Sequence, residues 1–223
     1  MPKKKLRPRA LNQLALPIDD SARARVLLAA TVLFSEKGLE GTSTREIAKA
    51  ADLNISLISY YFGGKEGLYR AVISEYAQEA GGRINTLIDS LDLNNLTRAK
   101  FRKAMRIFLE GLIPLKFRRP EINILLQREM MAGLPHAKDV YEDVFSKILE
   151  RVVSLYRKGQ EKGIVKKELN PYIIFFSMVH ATDMYVHVNQ CSVRPKQKIP
   201  LIPQDLKAYI DQIYILFVEG VMQ

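Results

Sequence analysis

Within residues 42–65, TSTREIAKAADLNISLISYYFGGK, helix-start and helix-stop signals follow one another so closely that only two short helices and a tight turn fit between them. Ser43 followed three residues later by Glu46 is a capping box, which predicts a helix beginning at Thr44. Ile47, Ala48 and Ala51 form its apolar stripe. The run Ala-Ala-Asp-Leu-Asn then ends it, because Asp52 tolerates a left-handed turn conformation and Asn54 supplies a cap for the next helix. That next helix is expected over residues 55–62, with Gly63 and Gly64 as its stop and Lys65 opening a further one.

The second short helix carries more side chains than its packing uses. Ile58 and Phe62, four apart, join Leu53 to make the buried face. At about 100° per residue, the opposite face centres on Ser56 and Tyr60, flanked by Leu57 and Ser59, with Ile55 at the N-terminal end. Upstream, residues 22–37 place Val26, Ala29, Ala30, Leu33 and Phe34 at helical spacing. Asp19, Asp20 and Ser21 stand before that helix as caps and Gly38 closes it. Three helices with a short turn before the third describe a helix-turn-helix, whose last helix has the dimensions of a DNA major groove.

Charge points the same way. The chain has 34 basic and 24 acidic residues; residues 1–70 hold twelve basic and seven acidic, half of the net excess in under a third of the length. A polyanionic partner at this end is the expectation. Residues 1–20 contain five Lys or Arg and three Pro, and are expected to be a disordered basic arm. Such an arm serves either phosphate and minor-groove contacts or solubility alone.

The run FSEKGLEGTSTREIAKAA, the turn after it, and SYYFGGKEGLYRAV resemble the tetracycline-repressor (TetR-like) family of bacterial regulators, in register over about residues 22–75. Asp52 stands where the family usually has Gly, and Asn54 where it has Ser or Thr. The resemblance implies phosphate contacts at Thr42, Ser43, Tyr61 and Lys65, and a base or phosphate contact at Arg45. It places Ile55, Ser56, Leu57, Ser59 and Tyr60 on the groove-facing side. It also implies a long helical C-terminal domain that dimerises and binds a small ligand.

The sequence beyond residue 65 fits that plan. Helices are expected over residues 65–84, interrupted near Gly81 and Gly82, then over 96–115, 120–132, 135–162, 171–188 and 203–222, with a polar break at 91–95 and a loop at 191–203. The last two helices are apolar on more than one face, which a single chain cannot bury, so a two-fold four-helix bundle between copies is expected. Met105, Phe108, Met130, Met131, Phe145, Phe175 and Tyr185 are candidates to line an apolar effector pocket or, taken singly, to fill the core.

His180, Asp183, His187 and Cys191 fall on one helical stripe, a set of metal-ligand types that equally describes a polar seam on a dimer helix. We expect the seam and no metal. Nothing resembles a Gly-rich phosphate loop, a nucleophile elbow or an HExxH helix, so no enzyme activity and no cofactor are expected. The single cysteine fits a reducing cytoplasm, and no apolar run reaches the roughly 18 residues of a membrane span.

The expected fold is therefore all-α: an arm at 1–20, a helix-turn-helix DNA-binding domain at 21–66 and a helical regulatory and dimerisation domain at 67–223. The expected function is a ligand-responsive, homodimeric regulator of transcription, a repressor on a palindromic double-stranded operator, with an unidentified small-molecule effector. The alternative is a sequence-neutral nucleoid or architectural protein.

Overall fold

A computed structural model of the chain describes residues 22–89, 95–190 and 205–223. The expected arm, the caps at Asp19, Asp20 and Ser21, most of the polar break, and the loop with Cys191 lie outside the described residues. Helices run α1 Ala22–Lys37, α2 Thr44–Ala51, α3 Ser56–Phe62, α4 Lys65–Asp89, α5 Arg98–Arg118 and α6 Pro120–Met131. They continue as α7 Lys138–Val140, a π-helical turn Tyr141–Phe145, α8 Ser146–Glu161, α9 Pro171–Gln190, α10 Leu206–Tyr214 and a second π-turn Ile215–Glu219. The fold class is all-α, as expected. Among the described residues, one antiparallel bridge, Val165 to Met222, is the sole extended pairing.

The chain divides into two compact units. The first takes the described residues up to Tyr76 together with Arg118–Val140; the second takes Ala77–Phe117 and Tyr141–Gln223. Residues 67–76 and 118–140, which the sequence groups with the C-terminal region, thus pack with the helix-turn-helix.

In the first unit, α1 sends Val26, Ala30, Leu33 and Phe34 into the core, and α2 adds Ile47, Ala48 and Ala51. From α3 only Ile58 is fully buried. Seven residues are too few for a stable isolated helix, so α3 exists because Ile58 and its caps hold it. The side of α4 carrying Leu68, Tyr69, Val72, Ile73 and Tyr76 is also buried. Against α1 lies α6, with Ile122 and Leu125 inward and the Arg128 guanidinium donating to the Phe34 carbonyl at 3.2 Å.

The second unit is built from α5, α8, α9, α10 and the second half of α4. Phe101, Met105, Phe108, Leu109 and Ile113 of α5 are buried, as are Val152, Val153 and Tyr156 of α8. Tyr156 stacks edge-on against Phe101 at 5.5 Å and donates to the Phe217 carbonyl at 2.7 Å. The cation of Lys116 and the carboxylate of Asp183 form an ion pair that is buried on both sides.

Several helix limits differ from expectation, each for a tertiary reason. No interruption occurs at Gly81 and Gly82. A Cβ on Gly81 would stand 3.0 Å from Val144 Cγ1, so this glycine serves close helix packing. Helix α5 continues past Pro114 to Arg118 because Leu115 and Lys116 are buried beyond it. The long helix expected from residue 135 begins only at Lys138 and widens into the π-turn. Before it, Gly133 and Leu134 take positive φ, and the backbone N–H of His136 is captured by the Glu129 carboxylate at 3.1 Å. Asn170 caps α9, accepting from the Tyr172 N–H at 2.9 Å, and Asp205 caps α10.

Candidate nucleic-acid interface

The helix-turn-helix is assembled by caps. Ser43 accepts from the Glu46 N–H at 3.2 Å, and the Glu46 carboxylate accepts from the Ser43 N–H at 3.0 Å, completing the expected capping box. Lys37 Nζ donates to the other Glu46 oxygen at 2.5 Å. These donors hold the Glu46 carboxyl down at about 2. Asp52 adopts φ 54°, ψ 53°, the left-handed turn its sequence position predicts. Arg25 closes the C-terminal end of α2, donating to the Ala51 and Asp52 carbonyls at 2.5 and 3.0 Å. Asn54 Oδ1 accepts from the Ser56 N–H at 2.9 Å and starts α3.

Most of the sequence-derived contact residues share one surface. Ile55, Ser56, Ser59, Tyr60 and Tyr61 are exposed, with Tyr60 at 80%, and Leu57 is half-buried. The Tyr60 and Tyr61 rings meet edge-on at 5.1 Å. Nothing in the unit's own packing accounts for the exposure of Tyr60; a large amphipathic side chain held in water suits a partner surface.

Thr42 leaves the set. It is 2% exposed, its hydroxyl donates to the Gly38 and Leu33 carbonyls at 2.7 and 3.2 Å, and its N–H goes to the Leu39 carbonyl. No donor remains for a phosphate, because the residue fastens the end of α1 to the start of α2. Ser43 is exposed, but its N–H and hydroxyl both go to Glu46. Lys65 donates to the Leu39 carbonyl at 2.9 Å and lies 3.9 Å from the Glu40 carboxylate, which occupies one of three ammonium donors.

Of the basic side chains in residues 22–70, five are engaged within the unit: Arg23 with Glu75, Arg25 with the end of α2, Lys37 with Glu46, Lys65 with Leu39, and Arg70 with Asp139. Arg45 and Lys49, one turn apart on α2, are exposed and make no side-chain bond among the described residues. Lys49, four residues from Arg45, is not among the contact residues that the family resemblance implies.

These caps, this turn and this exposed helix coincide with a known pattern. The profile of "Bacterial regulatory proteins, tetR family" matches residues 26–72. Over residues 26–72 the chain carries the sequence pattern of this family. It is 41% identical over 71 residues to the probable HTH-type transcriptional regulator YttP of Bacillus subtilis (strain 168), covering 32% of this chain and 34% of that one. It is 28% identical over 142 residues to the HTH-type transcriptional dual regulator CecR of Shigella flexneri, covering 61% and 63%. The chain thus spans about a third and somewhat under two thirds of these two relatives. Its fold is that of the ketosteroid transcriptional regulator KstR2 of Mycobacterium tuberculosis, with a TM-score of 0.70 at 18% identity, over 92% of this chain and 96% of that one.

The remaining candidates fall differently. Met105, Phe108 and Phe175 are buried and Phe145 half-buried in the second unit. Met130 is 41% exposed on α6, in the first unit. Met131 is exposed as well. Asp183 turns inward to Lys116, while His180 and His187 face outward. Among the described residues, no three His, Cys, Asp or Glu side chains are grouped to hold a metal ion, and no helix is long and apolar enough to cross a membrane.

Proposed function

We propose that the chain is a ligand-responsive transcriptional regulator, a cytoplasmic homodimer that represses by occupying a palindromic DNA operator. The observation that carries this reading is the division of α3: Ile58 anchors it inward while Ile55, Ser59, Tyr60 and Tyr61 stand exposed, as Arg45 does on α2. A helix so presented fits the major groove, and a bound protein excludes others from the same site by occupancy alone. Ile55, Leu57 and the tyrosines offer apolar and stacking contacts to thymine methyls and sugars. Arg45 offers two donors to a guanine edge or to phosphate. Tyr61 and the free donors of Lys65 take phosphates. The Ser43 and Ser56 hydroxyl oxygens, whose protons go to Glu46 and Asn54, add acceptors at the edge of this surface.

Dimerisation is supported by an outward seam on α9. Ile173, Ser177, His180, Met184 and His187 are exposed at intervals of four and three, the spacing of a helix-pairing seam. Ile215 and Leu216 extend the exposed apolar surface on the terminal turn. A second copy covers such a seam by two-fold pairing, and the two heads then address half-sites about 34–36 Å apart. The effector is held in the second unit, where Met105, Phe108, Phe145 and Phe175 supply apolar surface. It acts by favouring one setting of α4, so that effector and operator binding are linked.

The test is a mobility-shift titration on DNA from upstream of the chain's own gene, against random duplex at matched salt. Tight, selective binding by the wild type and its loss in an Arg45→Ala, Tyr60→Ala double variant of unchanged fold support the reading. Equal affinity for both duplexes favours a sequence-neutral architectural protein. Met184→Glu is expected to yield monomers in sedimentation; a dimer that persists places the interface elsewhere.

A further inference from the structure

We infer that Lys49 is a phosphate-contacting residue, forming with Arg45 a two-cation ridge on α2; this rests on the DNA-binding reading above. Thr42 was expected to grip the backbone and has no donor left, Ser43 has spent both of its donors on Glu46, and Lys65 has committed one. An anion approaching the N-terminus of α2 also meets the Glu46 carboxylate, which stays ionised in that position. The positive charge that this surface retains for a polyanion therefore sits further along α2.

The geometry there is simple. Ile47, Ala48 and Ala51 bury one side of α2, and Lys49 stands close to the diametrically opposite direction. Arg45 lies one turn nearer the N-terminus, about 6 Å along the axis at 1.5 Å per residue. In a helix-turn-helix the first helix of the pair crosses the phosphate backbone while the second enters the groove. A cation on the outer face of that crossing helix meets phosphate oxygens, not base edges. The five engaged cations of residues 22–70 have each committed at least one donor inside the unit. Lys49 has committed none.

A phosphate contact has a thermodynamic signature that a base contact or a fold-stabilising residue lacks. Each neutralised phosphate contributes about 0.9 to the negative slope of log K against log salt, equally for every sequence. The experiment measures anisotropy of labelled duplexes with full-length wild type, Lys49→Ala and Lys49→Arg across a salt series, on a selected operator and on random DNA. Lys49→Ala is expected to lose about 0.9 of slope and to weaken binding to both duplexes by the same factor. Lys49→Arg restores both, and the melting temperature does not move. An unchanged slope in Lys49→Ala overturns the proposal while leaving the regulator reading intact. A loss confined to the operator also overturns it, since that marks base readout. A wild type that binds no duplex refutes the regulator reading itself and takes this proposal with it.

Discussion

The phenol of Tyr69 donates a 3.0 Å hydrogen bond to the carboxylate of Glu129, sixty residues further along the chain, with both side chains buried. The other carboxylate oxygen accepts from the His136 backbone N–H at 3.1 Å. The Tyr69 ring stands edge-on to Phe34 at 5.0 Å and to the His136 ring at 5.9 Å. Burial, and then the Glu129 charge, push the phenol ionisation well up, so the proton stays in the bond. The Glu129 carboxylate of α6 thus ties α4 to the segment after α6, and the Tyr69 ring extends the link to α1, all within the first unit. Tyr69→Phe is expected to cost about 1–3 kcal/mol, since it leaves a buried carboxylate short of a donor. Glu129→Ala is expected to cost more, because it strands two donors and opens a void. Denaturant unfolding of both variants checks the order.

Two residues two positions apart on α3 are expected to separate binding from stability. Tyr60→Ala removes an exposed side chain and should change stability by less than about 0.5 kcal/mol while weakening operator binding by about 1–3 kcal/mol. Ile58→Ala empties a fully buried site and should cost about 2–5 kcal/mol of stability. Calorimetry paired with a DNA titration distinguishes them. Equal melting and equal binding losses in both variants would refute the division of α3 into an anchoring and a reading side.

Acid should loosen the reading head through Glu46. Its carboxyl is held at about 2, below its usual 4.5, first by the Lys37 ammonium and then by the Ser43 N–H and hydroxyl. A depressed carboxylate contributes stability that is complete above the unfolded value and is lost as pH falls through the folded one. The excess stability of wild type over Glu46→Gln should therefore be constant above about pH 5 and shrink between 4.5 and 2. Melting curves of the two proteins across that range test it. A difference independent of pH would mean that the charge on Glu46 does not matter.

The buried Lys116–Asp183 pair makes the opposite kind of prediction. Removing one partner strands a charge, so Asp183→Ala is expected to cost about 3–5 kcal/mol. Replacing both with apolar residues of similar volume, Lys116→Met with Asp183→Leu, should recover most of that, because two desolvation penalties vanish together. Unfolding free energies of the single and double variants close the cycle. A double variant as unstable as the single one would show that the pair supplies net attraction and not a compensated burden.

What the sequence determined by itself is local chemistry. The Ser43–Glu46 box, the left-handed turn at Asp52, the Asn54 cap and the outward tyrosines of α3 all follow from contacts within a few residues, and such contacts are legible in the order of side chains. The all-α class followed in the same way from helical periodicity. What only the tertiary structure decided depends on partners far off in the chain. Gly81 and Gly82 look like a helix break, yet the missing Cβ at Gly81 accommodates Val144 in an unbroken α4. Thr42 looks like a phosphate donor until its hydroxyl is found on the Leu33 and Gly38 carbonyls. Met130 looks like a pocket residue but faces solvent on a helix that packs against α1. Likewise the equal charges of Arg25, Lys37, Arg45, Lys49 and Lys65 are indistinguishable in sequence. Folding engages three of them and leaves Arg45 and Lys49 without an internal bond among the described residues, because a cation's availability depends on which carbonyls and carboxylates the chain brings within its reach.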